Sequence, residues 1–279
     1  METFGTRLAR GLAERGPLCV GVDPHASLLA AWGLTDDAEG CARFSETVVT
    51  ALADRVAVFK PQSAFYERFG SPGIAVLEST IRQLRDAGAL VLLDVKRGDI
   101  GSTVAAYASA YLDPASSLCA DAITASPYLG VGSLGPMFDA AAAHAGGVFV
   151  LAFTSNPEGA RFQRAITADG RTVGQAVIDE ISQLNAGVRP LGSFGVVLGA
   201  TITGDRVDVS ELGGPVLVPG MGTQGGTPET LRALAGATGV GVLPSYSREV
   251  LARGPGVPAL REAVDRALVA CSAALARSA

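Results

Sequence analysis

Leu90-Val91-Leu92-Leu93-Asp94-Val95-Lys96-Arg97-Gly98-Asp99-Ile100 holds a strand, an abrupt change of chemistry and a turn in one short stretch. Its first four residues are continuously apolar, the pattern of a strand covered on both faces in a parallel sheet. Asp94 and Lys96 follow two residues apart, so on an extended segment both side chains point to the same side. Gly98 then permits a sharp turn, and Thr103–Leu112 beyond it reads as a helix. The stretch is one β/α unit whose strand ends in charge.

The unit recurs along the chain. Short β-branched or apolar runs lie at Leu18–Val22, Val56–Phe59, Leu90–Val95, Ala122–Ala125, Val148–Phe153, Phe194–Leu198, Val216–Val218 and Val240–Leu243. Helical patterns fall between and after them at Asp36–Leu52, Gly73–Ala87, Thr103–Leu112, Ser133–Ala145, Val173–Asn185, Pro228–Ala235 and Pro258–Ala276. Thr227 before Pro228 has the form of an N-cap followed by proline in the first turn. The sixth crossover, Thr201–Leu212, shows the poorest helical pattern. Eight runs in 279 residues suit a single-domain (β/α)8 TIM barrel over residues 1–279, a fold that typically takes about 250 residues. An open, doubly wound sheet is the alternative, because periodicity does not reveal closure. One connection, Thr154–Arg171, is long and irregular, and loops of that length in a compact domain are usually functional or mobile.

Composition narrows the function. The hydrophobic fraction of 48% allows a large core, and a net charge of −5 argues against a nucleic-acid surface. An anionic small molecule stays possible, because steering depends on charges local to a cleft. Cys19, Cys41, Cys119 and Cys271 are scattered without a Cys-x-x-Cys pair, as buried thiols of a reducing compartment are. With two histidines, His25 and His144, a histidine-rich metal site is not expected. No secretory leader or long apolar span is seen, so the expected location is the cytoplasm, with no membrane partner.

Function in such barrels sits at the C-terminal ends of the strands. Those ends carry Asp23, Lys60, Asp94 with Lys96, Ser126, Ser155, Pro219-Gly220 and Ser245 through Arg248. Lys60 closes the strand next to that of Asp94, one spacing of about 4.8 Å away. Lys60, Asp94, Lys96 and Asp99 would gather alternating charges at one mouth. A surface salt-bridge lattice is the plain alternative and would contribute little; against it, these charges end a buried run, where fields and pKa values are readily tuned. The second cluster is Val218-Pro219-Gly220-Met221-Gly222-Thr223-Gln224-Gly225-Gly226-Thr227-Pro228. Its glycines let backbone N–H groups converge on an anion ahead of a helix N-terminus. Arg248 after the eighth strand offers a bidentate phosphate grip. The alternatives are a flexible loop and a helix-surface arginine.

Asp94-Val95-Lys96-Arg97-Gly98-Asp99-Ile100 resembles the Asp-x-Lys-x-x-Asp-Ile signature of the orotidine 5′-phosphate decarboxylase family, in its longer bacterial subgroup. Val20-Gly21-Val22-Asp23-Pro24, Phe59-Lys60-Pro61-Gln62 and Pro219 through Gly226 resemble the family's other blocks, in the family's order, over Leu18 to Arg248. The resemblance implies conversion of orotidine 5′-phosphate to uridine 5′-phosphate and CO2, without cofactor or metal. It makes Lys60, Asp94, Lys96 and Asp99 the catalytic tetrad. It implies a homodimer in which Asp99 and Thr103 reach the neighbouring subunit's site. Asp23 would hold a ribose hydroxyl and Ser155 the pyrimidine, while Gln224 and Arg248, with Pro219 and Ser247 beside them, would bind the phosphate end. The chain departs from the family in having Ser247 where glycine is common before the phosphate arginine, and in the length of Thr154–Arg171.

Two other functions compete. A metal-dependent sugar-phosphate decarboxylase or aldolase of the same superfamily shares the Asp-x-Lys-x-x-Asp block, but puts an acidic residue where Lys60 stands, and a lysine there would repel Mg2+. A non-catalytic sugar-phosphate sensor would need Gln224 and Arg248 but has no use for four alternating charges.

Overall fold

A computed structural model describes residues 1–202, 207–238 and 241–276, with 224, 233 and 235–238 described by backbone alone. Eight parallel strands, β1 (Cys19–Val22), β2 (Val58–Pro61), β3 (Leu90–Arg97), β4 (Ala122–Ala125), β5 (Gly147–Phe153), β6 (Phe194–Leu198), β7 (Val216–Pro219) and β8 (Val242–Tyr246), close into a barrel in sequence order. Closure is made by β1 on β8, where Cys19 pairs with Ser245 and Val20 with Tyr246. The open-sheet alternative is thereby excluded.

Strand parity sorts the side chains into two cores. Residues facing outward, such as Val20, Val22, Phe59, Val91, Leu93, Ile123, Val148, Val150, Val196 and Val218, pack with the helices into one large cluster. Those facing inward, Cys19, Val58, Leu92, Ala122, Phe149, Val197, Leu217 and Leu243, form a second cluster inside the barrel. Both faces of every strand are apolar at this level, so the strands read as unbroken hydrophobic runs.

The inner cluster is completed by Phe4 and Leu8 of a helix, Phe4–Arg15, that precedes the barrel. The Phe4 ring meets Phe149 edge-on at 6.0 Å and lies over Gly147, where an added Cβ would fall 2.4 Å from the ring. Thr3 caps this helix by accepting from the Thr6 N–H. The sequence reading did not include it, although Phe4, Leu8 and Leu12 are spaced as one helical face.

Other boundaries differ from expectation. β2 and β3 run on through Lys60 and through Lys96, so those charges stand within the sheet. β8 begins at Val242 and continues to Tyr246; Pro244 masks this in the sequence, and Val240 lies outside the described residues. The remaining helices start and stop within a few residues of expectation. Of the sixth crossover, 203–206 lie outside the described residues and the rest is turn and coil, with Val209 and Leu212 buried and the Asn185 amide donating to Leu212 O at 3.0 Å. Thr154–Arg171 is more ordered than expected: it carries a helix, Pro157–Gln163, and an antiparallel bridge between Ile166 and Thr172.

Candidate active site

One step of two residues up several of the strands from the inner apolar layer, the chemistry changes. Val58 is followed on the inner face by Lys60, Leu92 by Asp94, Ala122 by Thr124, Leu217 by Pro219 and Leu243 by Ser245. These residues, with Asp23, Ser155 and Ser247 from the strand ends, line a cavity of about 360 Å³ at the C-terminal mouth. Gly21 pairs with Lys60 in register, and a Cβ there would come within 2.8 Å of the Asp23 carboxylate and of Ser247.

Asp94 is the hub. Its Oδ2 accepts from Lys60 Nζ at 2.8 Å, and its Oδ1 accepts from Lys96 Nζ at 2.6 Å and Thr124 Oγ1 at 2.8 Å. The Gln62 amide lies against both groups, and turning its nitrogen to Asp94 Oδ2 and its oxygen to Lys96, at 3.3 Å, is the assignment that satisfies both. Lys60 and Asp94 are buried, whereas the Lys96 side chain is 43% exposed toward the cavity. Burial works against the Asp94 charge, but the ammonium groups of Lys60 and Lys96 outweigh it and hold the carboxyl well below its ordinary range. Burial likewise opposes the Lys60 charge, and Asp94 and Asp23 overcome it to hold the ammonium above its usual value. The pair is therefore ionised across the neutral range, as buried charges must be paired to be tolerated.

Lys96 has φ +46°, a left-handed backbone unusual for a residue with a side chain. The β3–β4 register shifts between Leu93 and Arg97, so the strand bulges there. The bulge turns Lys96 back on Asp94 rather than leaving it further up the strand.

Asp23 is 7% exposed, and its Oδ2 accepts from Ser247 Oγ at 2.6 Å. Its Oδ1 is buried without a hydrogen-bond partner. His25 lines the same wall against Phe65, ring centroids 4.1 Å apart. Burial, with the charges of Arg248 and Arg68, holds its imidazole below the usual value against the pull of Asp23.

Ser155 lies in the lining, close under Gly199, where an added Cβ would meet the Ser155 N–H at 2.7 Å. Thr154 beside it is clamped by Gln163, which accepts from the Thr154 N–H at 2.9 Å and donates to its hydroxyl at 2.8 Å. Pro219 and Gly220 form the opposite wall, Gly220 with φ +93°. The loop continues through a 3₁₀ turn, Gly222–Gln224; the Gln224 side chain lies outside the described residues. Arg248 is exposed at the start of the helix Arg248–Leu251, just beyond Ser247.

Arg248 is not among the residues that line the cavity, and two further expected residues stand apart from it. Asp99 is half-buried, its carboxylate accepting from the Ile100 N–H at 2.8 Å, and Thr103 is exposed on the first turn of the helix Gly101–Leu112; neither lines the cavity. Among the lining residues that escaped the sequence reading are Gln62, Thr124, His25 and Phe65. Gln62 shares parity with Lys60 and could have been found that way. Thr124 could not, because a threonine inside a strand reads as an ordinary β-former.

Among the described residues no group of three or more His, Cys, Asp or Glu side chains is arranged to hold a metal ion, and no helix is long and apolar enough to cross a membrane. The family described as orotidine 5′-phosphate decarboxylase / HUMPS matches residues 16–262. An orotidine 5′-phosphate decarboxylase of Salinispora arenicola is 69% identical over the full length of both chains, and one of Streptomyces coelicolor is 57% identical, again over both full lengths. A crystal structure from Streptomyces avermitilis ma-4680, provisionally given the same name, superposes with a TM-score of 0.94 at 55% identity, covering 99% of this chain and 97% of its own.

Proposed function

The chain belongs to the orotidine 5′-phosphate decarboxylase / HUMPS family, and from that premise we propose that it converts orotidine 5′-phosphate to uridine 5′-phosphate and CO2 as a cytoplasmic step of pyrimidine synthesis, residues 1–279 acting as one decarboxylase domain. The observation that carries this reading is the Lys60–Asp94–Lys96 chain, closed at 2.8 and 2.6 Å inside a cavity that Asp23 also lines. A sugar-phosphate enzyme using Mg2+ would need an acidic group where Lys60 stands.

Breaking the bond between the ring and its carboxylate leaves an electron pair on a ring carbon that cannot delocalise it well. CO2 departs neutral, and the carbon takes a proton. Lys96 serves both needs: its ammonium faces the developing carbanion and then donates the proton, which solvent restores. Asp94 lies against the substrate carboxylate, and their repulsion falls away as CO2 leaves. Lys60 keeps Asp94 ionised and in place. Asp23 Oδ1 accepts from a ribose hydroxyl, Ser155 addresses the pyrimidine, and Pro219, Gln224, Ser247 and Arg248 hold the phosphate end. Phosphate binding far from the scissile bond drives closure of the Gly220–Gly226 loop and expels water. No cofactor or metal takes part.

Asp99 and Thr103 complete the site of a second subunit in a homodimer. Their placement outside this chain's cavity supports that role, as do Ile100, Tyr128 and Leu129 nearby in sequence or on the next loop, 61%, 72% and 52% exposed. The test mixes the purified protein with orotidine 5′-phosphate and EDTA. Uridine 5′-phosphate is expected at a rate EDTA leaves unchanged. Absence of product with uridine 5′-phosphate still bound would move the chemistry to sugar phosphates with Mg2+.

A further inference from the structure

The residue that holds the reactive lysine in its unusual backbone is on the neighbouring strand. Lys96 sits in the left-handed region, where a residue with a Cβ is strained and persists only when its surroundings impose it. The bulge that places it there takes its N–H out of the β3–β4 ladder, whose paired positions jump from Leu93 to Arg97. That N–H donates instead to Thr124 Oγ1 at 2.9 Å. The same hydroxyl spends its one proton on Asp94 Oδ1 at 2.8 Å, the oxygen that also receives Lys96 Nζ at 2.6 Å. Thr124 is 1% exposed and belongs to the inner face of β4, one step above Ala122, where valine would fill the same space.

The hydroxyl therefore closes a ring: Lys96 N–H to Thr124, Thr124 to Asp94, Asp94 to the Lys96 ammonium. Each contact limits where the other two can go. Without the hydroxyl, the Lys96 N–H and one side of Asp94 lose a partner together, and the strained backbone loses its tether. Lys60 and Gln62 would still hold Asp94 Oδ2, so the carboxylate would stay while the ammonium drifts.

We propose that Thr124 is a positioning residue of this reaction, its hydroxyl fixing the left-handed Lys96 so that the ammonium is aimed at the carbon that loses CO2. The proposal rests on the decarboxylase reading and goes beyond it by assigning a role outside the charged tetrad.

The experiment compares Thr124→Val, which keeps the volume, with Thr124→Ser, which keeps the hydroxyl. Three quantities are measured on folded protein: kcat for orotidine 5′-phosphate, the Kd of uridine 5′-phosphate, and hydrogen exchange at the Lys96 amide. In Thr124→Val, kcat is expected to fall about 10- to 100-fold, the size of a lost hydrogen bond to a charged group. Its product Kd should stay within about threefold, because Thr124 acts on the lysine and not on binding. Thr124→Ser should recover kcat to within about threefold of the parent. With its acceptor gone, the Lys96 N–H of Thr124→Val should exchange with solvent at least about tenfold faster than the parent's. A Thr124→Val kcat within twofold of the parent overturns the proposal. So does a Thr124→Ser variant as slow as the valine, or a loss confined to product binding. A parent that binds uridine 5′-phosphate but releases no CO2 would instead sink the decarboxylase reading; the tether is then judged from the Lys96 amide alone, and equal exchange there in parent and valine variant overturns it.

Discussion

The two ends of the barrel interior are built on the same strands, from residues of the same parity, two positions apart, and they behave as opposites. At the N-terminal end Val58, Leu92, Phe149, Leu217 and Leu243 meet a plug made by Phe4 and Leu8. At the C-terminal end Lys60, Asp94, Thr124 and Ser245 face an open cavity. The lower end is dry and closed, so it contributes stability through burial and edge-to-face packing. The upper end pays for desolvated charge and a left-handed lysine, and it depends on the lower end for rigidity. A barrel thus keeps stability and reactivity apart along its axis, and substitutions at the two ends should fail in different ways.

The largest effect is expected at the upper end. Lys96→Ala should lower kcat by about 10³-fold or more, the scale of a lost electrostatic stabiliser joined to a lost proton donor, with melting temperature nearly unchanged because the side chain is partly exposed. Near-normal turnover in that variant would break the division between the two ends. At the lower end, Phe4→Ala should cost about 3–5 kcal/mol of stability in urea unfolding through the cavity it leaves, while kcat of the folded fraction stays within about twofold. A large kcat loss at full folding would mean that the plug shapes the site directly.

The smallest effect sharpens the comparison through pH. Asp94 has its folded pKa lowered, so its contribution to stability is present above about pH 4, its ordinary unfolded value, and is lost as pH falls below that. Lys60 has its folded pKa raised, so its contribution holds below about pH 10.4 and is lost as pH rises past it. These two groups should therefore be indifferent to pH from about 5 to 10, while His25, whose folded pKa is lowered, takes stability away as pH falls below about 6.5. Melting followed by calorimetry should decline at both extremes. Asp94→Asn, with Lys60 left buried and unpaired, should be less stable at pH 7 and show a flatter acid side. An acid side as steep as the parent's would place the titrating group elsewhere.

How much of this was legible depended on how local the signal was. Asp94 and Lys96 are betrayed by their own neighbours, because charges that end a buried run are visible without any partner. Lys60, Asp23, Ser155 and Pro219 follow from strand ends and ordered blocks, and the structure brings all of them to one cavity. Ser247 was expected near phosphate and is found also holding Asp23. The helix Phe4–Arg15 was missed because its apolar face is short and its purpose, covering Phe149, lies far along the chain.

By itself the sequence determined the alternation of strand and helix, the family blocks in their order, and the chemical kind of the site. All of these rest on periodicities and spacings within a few residues of one another. Only the tertiary structure decided that β8 closes on β1, which face of each strand looks inward, that Lys96 turns back on Asp94, and that Thr124 stands between them. Those depend on the register between strands that are distant in sequence. Register is set by the closure of the whole barrel and leaves no mark on the residues it aligns.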